Sequence, residues 1–312
     1  MSMRIGVVGA GAFGRGVAAA AARVGNQVTL VTRRTDLEGR EGVDVTRDQG
    51  ALRDADVVFV AVPSSKVVDT ARSLADHLDG RHLLVHVSRG LVGDGLTTLT
   101  QILRVETPCR RVGALAGPLV ADALADCRPG GGIVGTHFPE VAEAVRQAIA
   151  GPSLRIYDTD DVVGVEVASA CVGLLSLATG YATGLGVGPS ALAVLATMGM
   201  VEAAHLGETL GAHRHTFSGL AGIADLVSVV AGDRRPEFVL GKLVAQGKPL
   251  AEALPEVGAN VESIDLARRL VRHAERHRVE VPICDVTARV LEGRTGPTEA
   301  IAELMARPVT RV

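Results

Sequence analysis

A chain of 312 residues with 47% apolar side chains has material for two ordinary domains and a large core. Its net charge of −3, its lack of tryptophan, and its two tyrosines and five phenylalanines exclude a basic nucleic-acid surface and a platform of stacking aromatics. Its four cysteines, Cys109, Cys127, Cys171 and Cys284, form neither a Cys-x-x-Cys pair nor a metal-spaced cluster, so a reducing compartment and no metal are expected.

The apolar run Ile5 to Val8 leads into Gly9, Gly11 and Gly14, with Ala12 and Phe13 between them, and then into the alanine-rich segment Val17 to Val24. This is strand, glycine turn, helix. Gly9 permits the tight turn, Gly11 lets a pyrophosphate approach the backbone, and Gly14 lets helix and strand pack closely. The N–H groups and the positive end of the helix dipole then hold the phosphates of a dinucleotide. Arg4 and the glycines interrupt any signal-like apolar run, and a cytoplasmic chain is expected.

The next strand, Gln27 to Val31, ends in Thr32-Arg33-Arg34, and the first acid beyond it is Asp36. A carboxylate at such a strand end suits the ribose 2′-OH of NAD, whereas arginines suit a 2′-phosphate. NADP is therefore favoured over NAD, a solvated basic turn being the alternative for Arg33 and Arg34. Residues 56–62, Asp-Val-Val-Phe-Val-Ala-Val, read as a strand buried in a parallel sheet. It ends at Pro63-Ser64-Ser65, a turn at the carboxyl edge where open α/β sheets bind ligands.

A helix over 66–78 follows, then a strand over 82–87 leading into Ser88-Arg89-Gly90-Leu91, a strand over 112–116, the turn Gly117-Pro118, and a strand near 132–135. From about residue 161 the strand signal gives way to long helical segments. The expected division is an α/β dinucleotide-binding domain over 1–158 and a helical domain over 159–312. From Val167 to Val201 there is no charged residue, and residues 167–188 are long enough to span a bilayer. Ser169, Ser176, Thr179, Tyr181 and Thr183, with Gly-Val-Gly-Pro at 186–189, favour instead the buried central helix of a large protein.

The collinear landmarks Gly-Ala-Gly-Ala-Phe-Gly at 9–14, Ala-Val-Pro-Ser at 61–64, Ser-Arg-Gly-Leu at 88–91 and Ala-Gly-Pro-Leu-Val-Ala at 116–121 continue into the second half. There Val165-Glu166, Gly-Leu-Ala-Gly-Ile-Ala-Asp-Leu at 219–226, Val261-Glu262, Val-Pro-Ile at 281–283 and the segment 299–307 follow in order. This set resembles the NAD(P)-dependent glycerol-3-phosphate dehydrogenase family along essentially the whole chain. The resemblance implies a Rossmann domain followed by an all-α substrate domain, of the 6-phosphogluconate-dehydrogenase-like kind, in a homodimer. It implies that Gly9, Gly11, Ala12, Phe13, Gly14, Arg33, Arg34, Pro63, Ser64, Ala121 and Glu262 meet the cofactor, and that Arg89, Gly117, Val172 and Arg235 occupy substrate positions.

The departures from the family fall at its substrate residues. The family's lysine of the Lys-Gly-Leu loop is Arg89, and its catalytic lysine and following asparagine fall at Val172 and Gly173. Its Ser-Arg-Asn motif falls at Arg235-Pro236-Glu237, and a threonine becomes Val229, while the aspartate is kept as Asp225. Hydride transfer to a carbonyl needs a group that polarises the oxygen and handles its proton. Val172 cannot, and no lysine occurs between Lys66 and Lys242.

Asp225, Arg89 and Glu166 remain as catalytic candidates, with helix capping and a structural ion pair as the alternatives for Asp225 and Glu166. Arg234 and Arg235 could rebuild an anion site. His205, His213 and His215 read as surface, and Cys171 and Ser169 as packing. The expectation is an NADP(H)-dependent oxidoreductase acting on a small polar carbonyl, alcohol or imine other than glycerol 3-phosphate. An authentic glycerol-3-phosphate dehydrogenase with a rearranged site, and a catalytically silent NADP-binding protein, are the alternatives.

Overall fold

The computed structural model describes residues 2–39, 41–232, 235–258 and 261–306. The α/β half runs β1 (Arg4–Val8), α1 (Ala12–Arg23), β2 (Gln27–Val31), β3 (Val43–Thr46), β4 (Val57–Val60), α2 (Val67–Ala75), β5 (Leu83–His86) and α3 (Leu99–Glu106). It continues with β6 (Val112–Ala116), α4 (Ala121–Ala125), β7 (Gly130–Gly135), α5 (Pro139–Ile149) and β8 (Leu154–Thr159). The strands form one sheet in the order β3-β2-β1-β4-β5-β6-β7-β8, parallel throughout except where β7 runs against β6.

The side-chain alternation of a strand divides the sheet between two cores. Val57 and Phe59 of β4 pack with Val7 and with Val17, Val141 and Val145 of α1 and α5. Val58 and Val60 face the other way, onto Val67, Leu74, Leu99 and Leu103 of α2 and α3. A strand covered on both faces is apolar at every position, which is why Val-Val-Phe-Val is fully buried.

Beyond β8 the described residues are helical: α6 (Val162–Gly184), α7 (Pro189–Glu208), α8 (Arg214–Phe217), a π-helical turn Leu220–Ala224, α9 (Asp225–Val230) and α10 (Pro236–Ala245). Then come α11 (Leu250–Glu256), α12 (Ser263–His277), α13 (Pro282–Leu291) and α14 (Pro297–Met305). The apolar stretch lies on α6, whose residues from Val165 to Gly180 are all buried, enclosed by α7, α9, α10, α12, α13 and strands β6 and β7. Two helices, α6 and α7, are long and apolar enough to cross a membrane; α6 is the buried centre of the helical half.

The expected strands and helices are present with small shifts. The strand over 82–87 is β5, which begins at Leu83 because the His82 ring turns back to hydrogen-bond at Asp79. The helix over 66–78 is α2, preceded by a 3-10 turn at Ser64–Lys66 and ending at Ala75. Two strands, β3 and β8, were not anticipated; both are partly exposed, and β8 runs through the expected domain boundary.

Candidate active site

The glycine turn after β1 is dictated by contact. Gly9 has φ +106, and a Cβ there would lie 2.4 Å from the Ala61 carbonyl oxygen; at Gly14 it would lie 2.0 Å from the Gly9 oxygen. Neither position admits a side chain. Gly11 is the N-cap of α1, and a Cβ on it would meet nothing within 4 Å among the described residues. The first turn of α1, which starts with exposed Ala12 and half-buried Phe13, carries no acid and its cap no side-chain hydrogen bond. Bare N–H groups at a helix start, facing open space, fit the pyrophosphate of a dinucleotide.

Arg33 and Arg34 lie exposed just beyond β2. Arg34 grips Asp36 through Nε–Oδ1 at 3.0 Å and Nη2–Oδ2 at 2.5 Å, which lowers the Asp36 carboxyl to about 2. Both partners are more than half exposed, so this is a solvated pair of small energetic weight.

The loops after β4 and β5 leave the sheet at its carboxyl edge, beside the switch in strand order between β1 and β4, where open α/β sheets bind ligands. Helices α6, α10 and α12 close this edge into a cleft of about 150 Å³ whose polar lining includes Ser64, Arg89, Glu237, Glu262, Ser263 and Arg269. Glu262 accepts hydrogen bonds from the Ser64 and Ser65 backbone N–H groups at 2.9 and 2.8 Å, joining the start of α12 to the turn after β4. Gly90, at φ +126, permits this approach, since a Cβ there would lie 2.5 Å from Ser64 Oγ. Arg269 donates to the Leu91 and Gly93 carbonyls at 2.6 and 3.1 Å and so pins the loop after β5 against α12.

At the edge of the cleft, Arg89 Nη2 lies 3.1 Å from Asp225 Oδ2, and Arg235 Nη2 lies 2.6 Å from Asp225 Oδ1. Asp225 is fully buried at the start of α9, immediately after the π-helical turn; such turns re-aim the side chains that follow them.

The structure gives the remaining candidates their surroundings. Glu166 is not among the cleft residues. It is buried between α6, β5 and the start of α3, accepting hydrogen bonds from the Thr100 backbone N–H at 3.0 Å and the Thr100 hydroxyl and lying 2.9 Å from His86 Nε2. It ties α6 to β5 and to the start of α3. Val172 is fully buried in the helical core, while its neighbour Gly173 lines the cleft.

Pro63 is the exposed cap of the 3-10 turn. Gly117, at φ +110, packs near the Leu220 carbonyl, and Ala121 at the start of α4 backs onto Gly16 of α1. His213 and His215 stack on the exposed surface with ring centres 5.5 Å apart. Burial pushes the Cys171 thiol up to about 12, leaving it unreactive. Arg234 lies outside the described residues.

Ser263 and Arg269 are not among the residues singled out by the sequence, and Glu237 stands there only at the asparagine position of the Ser-Arg-Asn motif. The row Arg269, Arg272 and Arg276 at helical spacing was the available signal: all three bond to the loop at Leu91–Asp94.

A family model described as the C-terminus of NAD-dependent glycerol-3-phosphate dehydrogenase matches residues 161–302, and one described as NADP oxidoreductase, coenzyme F420-dependent, matches residues 4–90. The glycerol-3-phosphate dehydrogenase (NAD(P)+) of Acidovorax sp. strain JS42 is 33% identical over 99% of this chain and 99% of its own length. The chain belongs to the NAD(P)-dependent glycerol-3-phosphate dehydrogenase family. The Desulfitobacterium hafniense relative of the same name is 31% identical over 97% of this chain and 91% of its own.

The crystal structure of glycerol-3-phosphate dehydrogenase from Coxiella burnetii superposes with a TM-score of 0.91 at 25% identity, covering 98% of this chain and 99% of that one. The Rossmann half and the helical half are therefore those of a glycerol-3-phosphate dehydrogenase. Membership makes the chain an NAD(P)-dependent oxidoreductase acting on CH–OH.

Proposed function

We propose that the chain interconverts glycerol 3-phosphate and dihydroxyacetone phosphate with NADP(H), as a glycerol-3-phosphate dehydrogenase whose substrate site is rearranged. The carrying observation is the Arg89–Asp225–Arg235 cluster. The sequence pointed to a different substrate because lysine, arginine and asparagine are missing together at Val172, Pro236 and Glu237. Arg235, immediately before the lost arginine, offers a guanidinium in its place. With Arg89 it supplies guanidiniums in the planar form that binds phosphate oxygens in pairs. The near full-length likeness to relatives bearing that name supports the same reading.

The bound cofactor would accept or supply the hydride; the chain's residues do the rest. Gly11 and the start of α1 hold the pyrophosphate, Arg33 favours the 2′-phosphate of NADP, and Arg89 with Arg235 orients the substrate anion. The reading divides the chain near 158–159, so that the cleft lies where the two domains meet. It also carries the expectation of a cytoplasmic homodimer, to which the four free cysteines lend support on the side of location.

Steady-state oxidation of NADPH by dihydroxyacetone phosphate tests the reading. The expected kcat/KM is at or above about 10⁴ M⁻¹s⁻¹, the low end of ordinary enzymes. NADPH that binds but is not oxidised would overturn it and leave a cofactor-binding protein without this reaction.

A further inference from the structure

The cleft contains few groups able to exchange a proton, and most are committed. Arg89 pairs with Asp225, and a guanidinium does not give up its proton in ordinary conditions. Arg269 is spent on two backbone carbonyls. Both oxygens of Glu262 accept backbone N–H groups. Glu237, in the first turn of α10, is the remaining carboxylate of the lining.

Two observations place it beside an oxygen-binding spot. A Cβ on Gly173 would lie 3.9 Å from Glu237 Oε1 and 3.7 Å from Ser263 Cβ, so the missing side chain at 173 leaves a small space flanked by both residues. The Ser263 hydroxyl is buried in the same lining and has no hydrogen-bond partner among the described residues. A buried, unpartnered hydroxyl is costly unless a ligand atom completes it. Gly173 also directly follows Val172, where the family's lysine falls.

We infer that Glu237 takes the substrate's hydroxyl proton, with Ser263 orienting that oxygen; the inference rests on the proposed reaction. In oxidation, the hydroxyl proton passes to the Glu237 carboxylate as the carbinol C–H bond breaks. The electron pair of that bond leaves with the hydrogen, as hydride, to the oxidised nicotinamide, and the C–O bond becomes C=O. Glu237, which is half-buried, then releases the proton to solvent, and in reduction it donates one.

The test uses Glu237→Ala and Glu237→Gln in the full chain, with oxidation of glycerol 3-phosphate by NADP and binding of NADPH followed by the cofactor's own fluorescence. Both variants are expected to bind NADPH as the wild type does and to lose about 10²- to 10⁴-fold in kcat. Added formate, a free carboxylate base, is expected to restore part of the Glu237→Ala rate saturably and to leave Glu237→Gln unchanged.

Retention of kcat within about fivefold, loss that formate does not restore, or loss of NADPH binding in both variants would each overturn the inference. Failure of the wild type to oxidise glycerol 3-phosphate would instead overturn the proposed function, and this inference with it.

Discussion

Arg33 and Arg34 share a turn but not an environment. Arg34 is held by Asp36 through two hydrogen bonds, whereas Arg33 makes no hydrogen bond or ion pair among the described residues and stands exposed at the end of β2. A 2′-phosphate arriving there meets Arg33 at no cost, while recruiting Arg34 means breaking its pair with Asp36. Arg33→Ala is therefore expected to weaken NADPH about 10- to 100-fold, the range of a charged hydrogen bond, and to leave NADH nearly unchanged. Parallel titrations of the two cofactors check this, and equal losses would reduce Arg33 to a solvated turn residue. The glycine turn was legible from sequence because its stereochemistry is local. The Arg34–Asp36 pair was not, because a solvated pair depends on rotamers that spacing does not reveal.

At the scale of elements, α6 and α10 decide where the site residues stand. A Cβ at Gly180 would lie 2.1 Å from the Phe238 carbonyl oxygen, one at Gly241 2.2 Å from that of Leu177, and one at Gly184 2.9 Å from that of Lys242. The two helices thus touch backbone to backbone, and this contact brings Glu237, in the first turn of α10, to the cleft and sets Arg235 against Asp225. Gly241→Ala opposes two effects. Alanine favours the helix by about 1 kcal/mol over glycine. Its methyl would meet backbone atoms that cannot rotate away, and overpacking costs about 1–3 kcal/mol or more. The clash wins. Thermal unfolding is expected to show Tm lowered by several degrees, with kcat reduced as α10 shifts; a raised Tm would mean the seam is loose. Gly180 and Gly184 stand at helical spacing in the sequence, but Gly241 as their partner surface is visible only in the packed structure.

The molecule as a whole was legible in outline: the order of sheet and helices, the burial of α6 and the family likeness all follow from sequence pattern. What escaped were the edge strands β3 and β8, whose half-exposed faces carry a weak apolar signal, and the contacts between the two halves. Those contacts differ in depth. The tie from Glu166 to Thr100 and His86 is fully buried, whereas Glu262 reaches the Ser64 and Ser65 N–H groups at the rim of the cleft.

The rim contact sits on the turn after β4, at the edge where open α/β sheets bind ligands. Removing a partly exposed acceptor lets water satisfy the freed N–H groups, so Glu262→Ala is expected to cost only about 1–3 kcal/mol. Glu262→Gln, with one amide oxygen left to accept, should fall between Ala and the wild type. Urea unfolding measures both through the midpoint at unchanged slope. NADPH affinity should fall in the same order, because the turn that faces the cofactor loses its anchor to α12. Midpoints and affinities equal to the wild type in both variants would show that the two halves are held together by the buried contacts alone.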